Sequence, residues 1–162
     1  AEAVGEGLRV RNLVEGDKKA YPYLVFRNRS SRSFAEEAAR IAKEHVLIQK
    51  GENPGFGSYT KLGAMFSVAN YAPLSQKAFL EHAKTLKQRY PNYPAEFFCS
   101  HFVTYCYALA TFCSEPPSSE EAILLNYLYT TPMQLENYCR SHSNWELVGH
   151  LESVGKIGSA IY

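Results

Sequence analysis

The chain has 162 residues, enough for one domain with a sizeable hydrophobic core, and its 46% apolar and 20% charged content excludes a disordered chain. A net charge of +1 excludes general attraction to nucleic acid or to acidic membrane surfaces, so no nucleic-acid partner is expected. No apolar stretch reaches bilayer length, so no transmembrane segment is expected, and no signal peptide is visible.

The chain opens with Ala1-Glu2-Ala3-Val4-Gly5, without an initiator methionine, and reads as the middle of a strand and turn. A leading segment is therefore expected ahead of it. Residues 8–14 alternate Leu8 and Val10 with Arg9 and Arg11, the period of a strand, and 15–19 form a turn. Residues 21–27 read as a second, more apolar strand. The basic run Arg27-Asn28-Arg29-Ser30-Ser31-Arg32 has no interleaved aromatics and reads as a solvated turn.

Ser33 is expected to start a helix, with Glu36 completing a capping box. Phe34, Ala38, Ile41, Ala42 and His45 recur at helical spacing and predict its inward face. Residues 50–74 are rich in Gly, Asn, Pro and aromatics and form the longest irregular segment, a natural specificity element. A helix over 75–89 follows, with Phe79, Ala83 and Leu86 inward.

Pro91 and Pro94 stop any earlier element, and residues 96–113 then read as one helix with almost no polar face. Ser100, His101, Thr104, Thr111 and three cysteines argue that it fills a protein core. Cys99, Cys106 and Cys113 are spaced by seven, so they lie near one stripe, about 10 Å apart in rise and too far for mutual disulfides. No C-x-x-C pair or other metal-ligand spacing occurs, so no metal or organic cofactor is expected. Residues 114–119 break the chain, Ser118 and Glu121 predict a capped short helix through Tyr129, and Thr131-Pro132-Met133-Gln134 predicts a helix ending near Ser141. Residues 145–148 read as a strand. The whole is a single α+β domain spanning 1–162, with one central helix on a small sheet.

Cys99 sits in the first turn of its helix, where unpaired backbone N–H groups and the positive helix end stabilise an anionic sulfur. A buried core cysteine is the ordinary alternative. The segments Glu2-Ala3-Val4-Gly5, Val25-Phe26-Arg27, Phe98-Cys99-Ser100-His101-Phe102-Val103 and Thr131-Pro132-x-x-Leu135 bear on this choice through their order. In that order the chain resembles circularly permuted papain-like cysteine hydrolases of the NlpC superfamily, in the branch of YiiX-like and lecithin:retinol acyltransferase-like proteins. The resemblance runs from Glu2 to Val148.

It implies a permuted papain-like fold, with a central cysteine-bearing helix on a small antiparallel sheet. Cys99 matches the nucleophile, and Glu2 matches the acidic residue that orients the histidine. The family's histidine strand would precede Glu2, outside residues 1–162, so the leading histidine-bearing strand is expected to be missing from this chain. His150, after the last predicted strand, is the best base within the chain, as in unpermuted relatives. His101 lies about 200° around the helix from Cys99. His45, His82 and His142 read as packing or solvated residues, and Ser100 as a hydrogen-bonding residue of the helix start. Tyr59, Tyr71 and Tyr93 are candidates to line a cleft.

The resemblance implies cleavage of an amide or ester through a thioester acyl-enzyme, with peptides, peptidoglycan or lipids as substrates and no cofactor. The favoured version is a bacterial cell-wall amidase or endopeptidase acting as a toxin or effector, secreted or delivered to the periplasm. An inhibitor or immunity protein would then be its protein partner. A catalytically degenerate binding module of the same fold and a lipid acyltransferase are the alternatives.

Overall fold

A computed structural model describes residues 2–4, 7–9, 23–29, 32–51, 58–59, 73–90, 96–97, 99–112, 117, 119, 122–152 and 156–158. Its elements, in chain order, are β1 (Glu2–Val4), β2 (Gly7–Arg9), β3 (Tyr23–Asn28), α1 (Arg32–Gly51), β4 (Ser58–Tyr59), α2 (Gln76–Arg89), β5 (Glu96–Phe97), α3 (Cys99–Ala110), α4 (Pro132–Ser141), β6 (Trp145–Glu152) and β7 (Lys156–Gly158). The protein is α+β. The strands form an antiparallel β1-β2 pair, an antiparallel β3-β6-β7 sheet and a short parallel β4-β5 pair.

Periodicity explains the helices well. On α1 the buried positions are Ala38, Ile41, Ala42, His45 and Val46, and on α2 they are Phe79, Ala83 and Leu86. Each face recurs at three or four residues and meets α3, whose Phe102, Tyr105, Ala108 and Leu109 are buried in the same core. Burying one such Leu, Ile or Phe stabilises the fold by about 1.5–3 kcal/mol. Ser100, His101 and Thr104 on α3, and Thr111 in the turn just after it, are all buried too. Thr104 satisfies its hydroxyl by donating to the Ser100 carbonyl one turn back, and Thr111, just past the helix end, by donating to the carbonyl of Ala108 in its last turn.

Caps set several ends. Ser75 Oγ accepts from the Ala78 N–H at 3.3 Å at the start of α2. Thr131 and Gln134 form the expected capping box at α4: the Gln134 N–H donates to Thr131 Oγ1 at 3.1 Å, and the Thr131 N–H donates to Gln134 Oε1 at 2.8 Å. Pro132 fills the first helical turn, where its missing N–H costs nothing. At α1 the helix begins at Arg32, and the Glu36 carboxylate accepts from Arg32 Nε at 2.7 Å.

Four expectations need correction. The helix expected over 96–113 is α-helical only from Cys99 to Ala110, because Glu96 and Phe97 pair with β4 as a strand. A tertiary pairing partner overrides local helical preference there. Helix α3 packs chiefly on α1 and then α2, and it meets the β3-β6-β7 sheet through the Tyr107–Trp145 ring contact at 5.5 Å. The expected short helix through Tyr129 is absent among the described residues 122–130, which form bends and a turn. Their backbone groups are used elsewhere: the Leu74 N–H donates to the Leu124 carbonyl at 2.7 Å, and the Leu124 N–H donates to Tyr138 Oη at 3.0 Å. The last expected strand, 145–148, extends to Glu152 because it pairs with both β3 and β7. Beyond Arg9, the remainder of the strand expected over 8–14 lies outside the described residues, as do Ser118, Glu121 and residues 60–72.

Tyr138 is the keystone of the smaller cluster that joins α4 to the 122–125 segment, with Ile123, Leu125 and Cys139. Its hydroxyl also donates to the Ala122 carbonyl at 3.1 Å. Tyr138→Phe leaves that carbonyl and the Leu124 N–H without this partner, and an expected loss of about 2 kcal/mol follows. Urea unfolding of the variant checks it; a midpoint equal to wild type would show that other groups satisfy this backbone.

Candidate active site

Cys99 is the first residue of α3 and is exposed, whereas the residues after it, Ser100, His101 and Phe102, are buried. The helix therefore projects its start out of the core while its body stays inside. The stripe of cysteines changes environment along its length: Cys106, seven residues on, is buried. Burial pushes the Cys106 thiol well above the ordinary cysteine range, and burial pushes Cys139 up to about 12. Brief treatment with iodoacetamide at neutral pH is accordingly expected to modify Cys99 while sparing Cys106 and Cys139, as read by peptide mass mapping. Equal labelling of Cys106 would contradict its burial. Cys113 lies outside the described residues.

The strand pair β4-β5 leads directly into this helix start, with Tyr59 standing opposite Phe97 in register. The β1-β2 pair adjoins β4, and β1 also lies against α3. Glu2, on β1, stands opposite Arg9 in that pair. Chain topology thus brings the strand of Glu2 and the helix of Cys99 into contact. His150 lies on β6, between Leu24 of β3 and Gly158 of β7 in register. That strand packs against β3, β7 and α4, whereas the main neighbours of α3 are α1, α2 and β1. Tyr71 and Tyr93 are outside the described residues.

The other histidines divide by environment. His101 is 5% exposed and stacks on Tyr127, with ring centroids 5.9 Å apart and planes at 27°. His45 is fully buried, with Tyr105 at 5.0 Å and Tyr90 at 5.4 Å between centroids. Burial depresses both to about 4, so both are neutral near pH 7. His101 thus belongs to the core, as its angular separation from Cys99 anticipates. His142 stacks on Tyr138 at 3.7 Å, and its Nδ1 lies 3.0 Å from the Tyr138 carbonyl, which requires the proton on Nδ1. His82 is exposed on α2.

All three clustered arginines are engaged, and the run expected as a solvated turn has Arg27 and Asn28 on β3 and Arg32 on α1. Arg27 and Arg29 donate to the two carboxylate oxygens of Glu146, at 3.1 and 3.2 Å. Arg27 and Glu146 stand opposite each other across β3 and β6, so strand register explains the pair. Arg32 pairs with Glu36 within α1.

One connection was invisible in the sequence. Ser100 Oγ donates to the Thr130 carbonyl at 2.5 Å, joining the cysteine segment to the Thr131-Pro132 segment thirty residues on. Ser100 reads as a helix-start hydrogen-bonding residue, but no local pattern names a backbone carbonyl so far away.

Among the described residues no three His, Cys, Asp or Glu side chains gather as metal ligands, and no helix is long and apolar enough to cross a membrane. Comparison with protein-family models, with curated proteins and with solved structures finds no match to this chain in any of the three.

Proposed function

We propose that this protein is a cysteine hydrolase that cleaves an amide or ester bond through a thioester at Cys99, on a permuted papain-like fold of the NlpC type. The observation that carries the reading is an exposed cysteine at the first position of a buried helix, with the strand of Glu2 against that helix. The Cys99 thiolate attacks the carbonyl carbon, and the C–N or C–O bond of the substrate breaks once the tetrahedral intermediate collapses. Backbone N–H groups of the first turn donate to the oxyanion, and the positive helix end stabilises its charge. A histidine takes the thiol proton and returns it to the leaving amine or alkoxide. Glu2 holds that ring in the useful tautomer and stabilises its protonated form. The family pattern puts the histidine on a strand ahead of Glu2; His150 is the candidate within the chain. Water then attacks the thioester and releases the acid.

Peptide cross-links of bacterial peptidoglycan are the proposed substrate, in keeping with a toxin or effector role. Purified sacculi incubated with the protein, followed by mass spectrometry of the soluble fragments, test this directly. Release of fragments with newly exposed amines and carboxylates supports the amidase. Acyl exchange between phospholipids without peptidoglycan cleavage would replace it with the lipid acyltransferase. Binding that survives Cys99→Ser, with no cleavage of either substrate, would replace it with the binding module.

A further inference from the structure

We infer that Ser100 is a positioning residue for Cys99: its hydroxyl ties the first turn of α3 to the Thr130 carbonyl and so fixes where the neighbouring thiol and the oxyanion-binding N–H groups sit. This rests on the reading of Cys99 as the nucleophile. Ser100 is 2% exposed and immediately follows the exposed Cys99. The first turn of a helix is its least secured part, because its N–H groups have no partner within the helix. A side-chain bond running sideways to another segment supplies the restraint that the helix ladder lacks.

The acceptor is itself held firmly. Thr130 is 3% exposed, and its own Oγ1 donates to the Asn126 carbonyl at 2.7 Å. The next residue, Thr131, is locked in the capping box with Gln134. The Thr130 carbonyl therefore stands between a turn and a capped helix. A displacement of about 1 Å at a reacting atom can cost on the order of 100-fold in rate, so a tie one residue from the nucleophile has kinetic weight.

Thr104 provides the comparison that separates positioning from general packing. It is buried on the same helix, and its hydroxyl donates to the carbonyls of Ser100 and His101 at 3.0 and 3.1 Å, entirely within α3. Steady-state kinetics of peptide-fragment release from purified peptidoglycan, with a thermal melt of each variant, test the inference. Ser100→Ala is expected to lower kcat about 10- to 100-fold with KM within about twofold, and Ser100→Thr, which keeps the donor, to restore most of kcat. Thr104→Val is expected to lower the melting temperature while keeping kcat within about threefold. If Ser100→Ala does not fold, Ser100→Cys, close in shape but a weak donor, takes its place with the same expected loss. Full kcat in the variant lacking the hydroxyl, or parallel losses in Ser100→Ala and Thr104→Val, would overturn the positioning role. Turnover that survives Cys99→Ala would instead overturn the nucleophile reading, whatever Ser100 does.

Discussion

Cys99→Ala is expected to lower kcat by about 10⁴-fold or more while the thermal midpoint moves by no more than about 2 °C. The two halves of this expectation have separate physical origins. Covalent catalysis divides one difficult substitution into two easier ones, and without the sulfur no thioester forms. What remains is the polarising effect of the helix-start N–H groups, a small residue of the whole. The small thermal effect follows from exposure, because Cys99 leaves little surface to re-expose when truncated. Cys106→Ala supplies the opposite case. It makes the same chemical change in the core, between α1 and α3, and is expected to cost about 1 kcal/mol or more with kcat unchanged. Turnover at saturating substrate and thermal melts of both variants check the pair. Wild-type turnover in Cys99→Ala would end the proposal of cysteine catalysis.

Acid is expected to destabilise the protein well above the range in which carboxylates titrate. His45 and His101 are buried, and each is depressed from 6.5 to about 4 by that burial. The unfolded chain therefore binds more protons than the folded one between about pH 6.5 and 4. Stability falls as pH drops through that window and levels off below it, where both states are protonated. A shift of this size corresponds to roughly 3 kcal/mol per histidine, a large share of the stability of an ordinary domain. Urea midpoints measured from pH 7 down to 5 isolate the upper part of the window, before Glu and Asp side chains contribute strongly. His45→Gln, which does not titrate there, is expected to remove about half of the slope. A midpoint flat from pH 7 to 5 would refute neutral burial of these two rings.

Much of the helical framework was readable from residue spacing. Ala38, Ile41 and Ala42, then Phe79, Ala83 and Leu86, then Thr131-Pro132-x-Gln134, announce their roles through periods and caps that span one or two helical turns. The strands were less legible. Glu96 and Phe97 look helical alone and become a strand because Ser58 and Tyr59 lie alongside. Residues 122–130 fail in the same way, since Leu74 and Tyr138 take up backbone groups that a helix would have used internally. At the candidate site, the residue type and helix-start position of Cys99 were apparent. The Ser100–Thr130 bond and the contact between β1 and α3 were not, because both depend on where distant segments meet.

Local sequence alone was enough for the α+β class, the inward faces of α1 and α2, the cap of α4, and the exclusion of His101 from the face of Cys99. These rest on interactions within a few residues of chain, whose geometry is set by the helical repeat and by unsatisfied N–H groups at helix ends. Tertiary structure alone decided that Cys99 is exposed while Cys106, one stripe position on, is buried. It alone placed the strand of Glu2 against α3 and tied Ser100 to the Thr130 carbonyl. Burial and long-range hydrogen bonding are properties of packed segments, and no repeat in the sequence encodes which segments pack together.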